Sequence, residues 1–335
     1  MGYLSLYYRK KRPAANSIEE VFNTIESVIK KEVHVNHVEL EHAGAGPLTL
    51  MKNILYARNR KSHVNHITGE VQYLVLGTGR NSVLTIHDVG SAFKVGVVKQ
   101  FFIRILWFWI PSLIVKKFTV ISEFSRQELI KILPWAKNKI VVIHNPVNSL
   151  ILKQANHLIK SSPSGNNFKI LHLGTKENKN LFRTIEAVSG LPIELQIIGE
   201  LSSIEIEKLN KHQIKYSYTF NLPFNDVIEK YNNCDIVCFA STYEGFGMPI
   251  IEAQALGKPV VTSNVASMPE VAGDSAVLVD PYSVESIRKG IISLIDNKEF
   301  REDRIRAGYK NIERFKIECI AKQYLDVYRE VFNAK

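Results

Sequence analysis

Two doubly wound α/β domains, facing each other across a cleft, are what this sequence predicts. Three observations carry that expectation. Short apolar runs alternate with amphipathic helical patterns along all 335 residues, the signature of βα units on parallel sheets. The chain is too long for one typical domain and comfortable for two of about 150 residues each. A stretch rich in Ser, Pro, Gly and Asn, KSSPSGNNF at 160–168, stands between two sets of such runs.

In the first half YLSLYY, HVNHVEL, SHVNHI, SVLTIHD, KFTVIS and IVVIHN read as strands; in the second FKILHLG, ELQIIG, YSYTFN, DIVCFA, PVVTSN and AVLVD repeat the arrangement. The expected bounds are a first domain at 1–155, a linker at 156–167 and a second domain at 168–316. The last segment, 317–335, is an amphipathic helix with Ile320, Tyr324, Val327 and Val331 on one stripe. It packs on its own domain or crosses back to the first. In such sheets ligands bind beyond the carboxyl ends of the strands, so the residues just after each strand matter most.

The first helix opens on a capping-box pattern, Ser17 to Glu20, with Val21, Ile25 and Ile29 following on one face. Before it, RKKRPAAN at 9–16 sets four basic side chains at a strand's carboxyl end, either a solvated cluster or an anion-binding lip. Residues 97–115, VVKQFFIRILWFWIPSLIV, are interrupted by Lys99, Gln100 and Arg104 and broken by Pro111. They fall short of the ~20 residues a membrane span needs. A buried helix is the expectation there, although Phe101, Phe102, Trp107, Phe108 and Trp109 beside Lys99 and Arg104 would also suit a headgroup-level anchor.

Composition narrows the class. With 45% hydrophobic and 23% charged residues the chain can bury two cores. Its start, MGYLSLYYRKKRP, has no apolar core long enough for a secretory signal. Cys234, Cys238 and Cys319 are odd in number and lack metal-ligand spacing, so a reduced, cytoplasmic protein is expected. The net charge of +10 is uneven: residues 1–165 hold 22 Lys+Arg against 10 Asp+Glu, leaving 21 against 23 for the rest. A basic half points to a polyanionic partner, namely membrane phospholipid, a lipid diphosphate or nucleic acid, with a merely solubilising surface as the plain alternative. Nucleic acid is not expected, because aromatics beyond Tyr7 and Tyr8 are not interleaved with the 9–12 basic cluster. The pairs His34/His37 and His63/His66 are read as structural, since no acidic or Cys partner completes a ligand set; His66, before Thr68 and Gly69, is the exception placed on the acceptor side. No metal and no cofactor is implied.

The chemistry concentrates in EGFGMPIIE, residues 244–252. It follows the apolar run DIVCFAS and leads into a helix, with Pro249 suited to the first turn. Gly245 and Gly247 let a ligand approach the backbone. The N–H groups of Phe246, Gly247 and Met248 would then face a phosphate or a sugar oxygen at the positive end of the helix dipole. Glu252, expected in the helix's first turn, suits two hydroxyl hydrogen bonds, as from a ribose. Glu244 at the tip of the turn suits sugar hydroxyls. Dipole complementation alone would account for Glu252 and leave Glu244 and both glycines without a role.

These residues resemble the group 1 retaining glycosyltransferases (carbohydrate-active family 4) of GT-B architecture, two Rossmann-like domains across a cleft, whose hallmark is a pair of glutamates separated by seven residues. ILHLGTKENKNLFRTIEAV (170–188), GKPVVTSNVASMPEVAGDSAVLVDP (257–281), VLTIHD (83–88) and VISEFSRQEL (120–129) extend the likeness over 63–332. The resemblance implies a nucleotide-sugar donor on the second domain, with its diphosphate on Lys179 near Gly174 and Thr175. Many members carry an Arg after that glycine; here Thr175 stands there, so a second cation is missing or comes from Lys176 or Arg183. His87 matches a cleft histidine near the transferred sugar, giving a catalytic set of His87, Lys179 and Glu244. Ala14, Ala15 and Asn16 replace a Gly-rich first loop, and Arg12, Asn16 and His66 are placed on the acceptor side. The implied activity is transfer from a UDP- or GDP-sugar to a saccharide or lipid-linked acceptor in surface polysaccharide assembly, by an enzyme in the cytoplasm and peripheral on the membrane's inner face. The rival from another class is a non-catalytic sugar-nucleotide or nucleic-acid binding module on the same scaffold.

Overall fold

The computed structural model of the chain describes residues 2–10, 17–44, 46–90, 101–155 and 167–334. It divides into two compact units, one of residues 1–146 with 317–335, the other of 147–316. The expected first-domain segment 147–155 therefore clusters with the second unit, and the last helix with the first. The expected linker lies, but for Asn167, outside the described residues.

The first unit holds six parallel strands, β1 (Leu4–Tyr8), β2 (Val35–Glu39), β3 (Val64–Ile67), β4 (Ser82–Ile86), β5 (Lys117–Val120) and β6 (Ile140–Val142), in the order β2-β1-β3-β4-β5-β6. All five residues of β1 are buried, as both faces of a parallel sheet are covered. Pleat alternation sends Leu4, Leu6 and Tyr8 to one core and Tyr7 to the other. On the Leu4 side the helices Ser17–Ile29 and Ile317–Asn333 pack together, the latter contributing Ile320, Tyr324, Tyr328 and Val331. Its position is further fixed by Lys117, whose Nζ lies 2.6 Å from Glu330 Oε2.

The aromatic segment departs from expectation. Its described part runs as a π-turn at Arg104–Trp109 followed by the helix Ile110–Ile114. Phe108, Pro111, Ser112 and Val115 are buried there, while Phe101, Phe102 and Leu113 stand in solvent. No helix among the described residues is long and apolar enough to cross a membrane.

The second unit also holds six parallel strands, β7 (Phe168–Leu173), β8 (Ile193–Ile198), β9 (Lys215–Thr219), β10 (Ile236–Phe239), β11 (Val260–Ser263) and β12 (Val277–Val279), ordered β12-β11-β10-β7-β8-β9. The twelve apolar runs picked from the sequence are these twelve strands. Strand order reverses between β1 and β3 in one sheet and between β7 and β10 in the other. Chain crossovers leave each sheet to opposite faces at those points, which opens a crevice at the strands' carboxyl ends.

Candidate functional site

In the second unit the loops after β7 and β10 meet at the switch point. Asn178 O accepts from Thr242 N–H at 2.8 Å, and Asn178 Nδ2 donates to Tyr243 O at 3.0 Å, so the two loops are joined along their backbones. Lys179 Nζ then reaches Glu244 Oε1 at 2.7 Å, with both side chains largely shielded from solvent. The ammonium also sits 4.8 Å from the centroid of the Phe239 ring. Gly174 has φ +90°, and a Cβ there would meet Lys179 Cγ at 2.8 Å. Gly199 (φ +155°) makes room in the same way for the side chain of Thr175.

Asn180 is left-handed (φ 64°) at the start of the helix Leu181–Val188. Its side chain donates to Ala240 O at 2.9 Å and Pro281 O at 2.7 Å and accepts from Arg183 Nη1 at 2.9 Å. Arg183 is thus tied to the scaffold, while Lys176, the other candidate second cation, is exposed.

The 244–247 loop is pinned from behind. Ser267 Oγ–H is within hydrogen-bond reach of Phe246 O at 2.7 Å and Glu244 O at 2.9 Å. The Phe246 ring is buried edge-on against Phe315, so this residue anchors the loop with its side chain and offers a ligand only its backbone. Gly247, at φ 107°, starts the helix Met248–Ala255. Pro249 brings no N–H and the Ile250 N–H is used by Gly247 O at 3.0 Å, so the Met248 N–H is one that the helix itself does not consume. The helix begins earlier than its sequence suggests, because the glycine supplies the left-handed turn there. Glu252 therefore lies in the second turn, not the first, and is only 8% exposed. Tyr231 Oη donates to Glu252 Oε2 at 2.8 Å from a fully buried position. Burial first, and then the Glu252 carboxylate, hold the Tyr231 phenol well above its usual pKa, so it remains a donor. A surface recess of about 490 Å³ lined in part by Ser189, Pro192, Lys211 and Lys215 lies instead at the amino ends of β8 and β9, away from these loops.

In the first unit the switch point is occupied by an ion cluster that the sequence did not announce. Arg9, directly after β1, is buried and holds Glu19 through Nε–Oε1 at 2.7 Å and Nη2–Oε2 at 3.2 Å. Its Nη1 also meets the half-exposed carboxylate of Glu70, a residue with φ 56° in the loop after β3. Trp107 Nε1–H caps the Glu70 carbonyl at 3.1 Å. The strand-end position of Arg9 was the available signal; Glu70 gave none beyond following Gly69.

His87 follows β4, and its Nε2 lies 2.7 Å from Thr68 O. A carbonyl only accepts, so Nε2 carries the proton and Nδ1 keeps the lone pair. Burial lowers the His87 pKa, against the opposing hydrogen bond to Thr68 and the nearby Glu70 and Glu19 charges, and the ring is neutral at pH 7. His66 does not serve as placed: it is fully buried, with Nδ1 2.6 Å from Tyr328 Oη and Nε2 2.7 Å from Thr85 Oγ1. Its strand position turns it into the core beneath the last helix, leaving no edge for an acceptor. Arg12 and Asn16 lie outside the described residues. Among the described residues no cluster of His, Cys, Asp or Glu could hold a metal ion.

Residues 154–311 match the family described as Glycosyl transferases group 1. The O-antigen chain mannosyltransferase B of Escherichia coli is 28% identical over 236 residues, covering 64% of this chain and 60% of that protein. The serotype-specific mannosyltransferase WbdA of Escherichia coli is 30% identical over 207 residues, 56% of this chain but 25% of its own length. The chain thus spans 60% of the length of the first of these relatives and a quarter of the second. Among solved structures, a glycosyltransferase of Rickettsia africae ESF-5 aligns over 100% of this chain and 99% of its own, at a TM-score of 0.74 and 18% identity. Anabaena HepE, solved with UDP and glucose, aligns over 98% of this chain and 100% of its own, at 0.73 and 16%. The match to the glycosyl transferases group 1 family thus lies in residues 154–311, on a GT-B fold shared along the whole chain.

Proposed function

We propose that the chain is a retaining glycosyltransferase that moves a sugar, mannose as the leading candidate, from a UDP- or GDP-linked donor to a saccharide or lipid-linked acceptor in surface polysaccharide assembly. The observation that carries this reading is the Lys179–Glu244 pair at the switch point of the second sheet. A cation held between two loops, beside a glycine that admits it and a helix start, is suited to a leaving diphosphate. Glu252, its carboxylate oriented by Tyr231, takes the ribose hydroxyls. Glu244 accepts from the transferred sugar, and His87 offers a neutral Nδ1 lone pair to a sugar hydroxyl.

Mannose is preferred because the relatives named above are mannosyltransferases. Retention is assigned to front-face attack within an ion pair: the bond from the anomeric carbon to the diphosphate oxygen breaks first. The acceptor hydroxyl adds from the same face, and its proton passes to the departing phosphate. Electrostatic stabilisation of that phosphate by Lys179 supplies most of the rate. No metal or cofactor is assigned a part; the nucleotide sugar is a co-substrate.

Calorimetric titration with UDP and with GDP, repeated on Glu252→Ala and Lys179→Ala, tests the reading. Binding of one nucleotide, lost in both folded variants, is expected. Binding of neither, or binding indifferent to both substitutions, overturns the donor site and brings a non-catalytic module forward.

A further inference from the structure

Three neighbouring strands of the first sheet run out into three side chains of different chemistry. β3 lies between β1 and β4; Arg9 follows β1, Glu70 stands in the loop after β3, and His87 follows β4. Arg9 is buried and already held at two points by Glu19, so its charge is met without Glu70. Glu70 is thus a surplus carboxylate. Of these three charged groups it alone faces solvent, its side chain 51% exposed against 10% for Arg9 and 6% for Glu19. Only its Oε2 meets Arg9, and its Oε1 has no partner among the described residues.

An ordinary surface ion pair does not account for this placement. Glu70 occupies left-handed backbone (φ 56°), which favours glycine. The fold holds it there at both ends: Arg9 grips the carboxylate, and Trp107 Nε1–H donates to the carbonyl at 3.1 Å. Gly69 brings the next strand close, since a Cβ on it would strike His87 Cδ2 at 2.8 Å. His87 gives its Nε2–H to Thr68 O, which leaves Nδ1 as a second acceptor one strand along. Trp107 packs T-shaped on Tyr73 at 5.6 Å between centroids and is only partly covered.

Two acceptor atoms beside a partly open indole suit a pyranose, whose hydroxyls donate and whose C–H face is apolar. They do not suit a phosphate, because like charges repel. We propose that Glu70 binds the acceptor, taking a hydroxyl hydrogen bond at Oε1 with Trp107 beside the sugar ring, and that the acceptor's attacking end is therefore a neutral sugar and not a lipid phosphate. This assignment rests on the glycosyl-transfer reading above, in which His87 attends the transferred sugar and the attacking sugar sits alongside it. An earlier transfer must then have placed the first sugar on any lipid carrier, so this chain extends a glycan and does not start one. The exposed Lys10 that follows Arg9 is the competing cation, and a phosphate probe measures its pull.

Saturation-transfer NMR on the full chain tests this without any donor, with methyl α-mannopyranoside, methyl α-glucopyranoside, N-acetylglucosamine and geranyl phosphate as probes. At least one of the three sugars is expected to bind, and geranyl phosphate is not. Glu70→Ala keeps the backbone demand and Glu70→Gly relieves it. Both should stay folded by circular dichroism and weaken sugar binding at least about tenfold. Binding of geranyl phosphate alone, no binding of any sugar, or sugar binding indifferent to both folded variants overturns the proposal. Calorimetry with UDP and GDP should give one nucleotide affinity for wild type and Glu70→Ala. A loss in the variant would put Glu70 in the donor site and overturn the assignment. Failure of the donor reading shows separately, as a wild type that binds neither nucleotide.

Discussion

Lys179 Nζ lies 2.7 Å from Glu244 Oε1, so without ligand the cation assigned to the donor diphosphate is neutralised by the carboxylate assigned to the sugar. A bound diphosphate must share the ammonium with that carboxylate. Like charges around one cation disfavour each other, and the partial shielding of both side chains strengthens the effect over that of an open surface pair. Glu244→Gln is therefore expected to bind nucleoside diphosphate as well as or up to about tenfold better than wild type, while sugar transfer falls. Lys179→Met should lose the nucleotide. Titration calorimetry on both variants reads the affinities directly; weaker binding in Glu244→Gln would contradict the competition.

The Tyr231–Glu252 contact yields a second expectation. Tyr231→Phe keeps the ring in its buried slot and removes a hydroxyl that donates to the nearly buried carboxylate. A hydrogen bond to a charged group contributes about 1.5–3 kcal/mol, and leaving the partner short of a donor costs in that range. Thermal unfolding should show the stability loss. Nucleotide affinity should drop by about tenfold if Glu252 reads the ribose, because the carboxylate is no longer fixed. A variant that is destabilised yet binds UDP or GDP normally would separate the scaffold role of Tyr231 from any role of Glu252 in binding.

Gly174 offers a cleaner test of how Lys179 is placed. Gly174 (φ +90°) and Gly79 (φ +79°) both occupy backbone conformations that disfavour a Cβ, but at Gly79 nothing lies within 4 Å, whereas at Gly174 the Cβ would press on Lys179 Cγ. Each Ala substitution should cost about 1–2 kcal/mol from backbone strain alone. Only Gly174→Ala should displace the lysine and weaken nucleotide binding. Paired urea titrations and binding measurements on the two variants give the comparison.

Much of this was legible in the sequence for a physical reason. All twelve strands are short, all but LSLYY contain β-branched residues, and a parallel sheet covered on both faces makes such runs largely apolar, as LSLYY and DIVCFA are. The Glu244–Glu252 segment announced itself because its glycines and proline have no role in a plain helix start. What stayed hidden depends on contacts distant in sequence. Ser267 reaches back to Glu244 O across 23 residues, and Tyr231 to Glu252 across 21. His66 was misplaced because strand-end position says which layer a residue occupies but not whether a later helix covers it. The covering helix lies 262 residues further on, at Tyr328. The aromatic segment misled in the opposite direction: its apolar content suggested burial, yet only the side chains turned toward Tyr73 and the sheet are covered.

Buried histidines are expected to lower the stability of both units in acid. Burial pushes His66 down to about 3, helped by the neighbouring His87, and pushes His172 on β7 down to about 4, helped by the Lys179 charge. In the unfolded chain each would titrate near about 6.5. Between those values the unfolded state binds a proton that the folded state refuses, so folding stability rises with pH across the interval. The contribution is complete above about pH 6.5 and is lost as the pH falls towards about 3 for His66 and about 4 for His172. Each histidine should supply a slope of about 1.4 kcal/mol per pH unit within its window. Urea unfolding at a series of pH values from neutral to mildly acid reads this slope. His66→Gln, whose amide can still serve Tyr328 and Thr85, should flatten the acid slope of the first unit, and His172→Gln that of the second. Slopes unchanged in both variants would show that other groups carry the acid sensitivity.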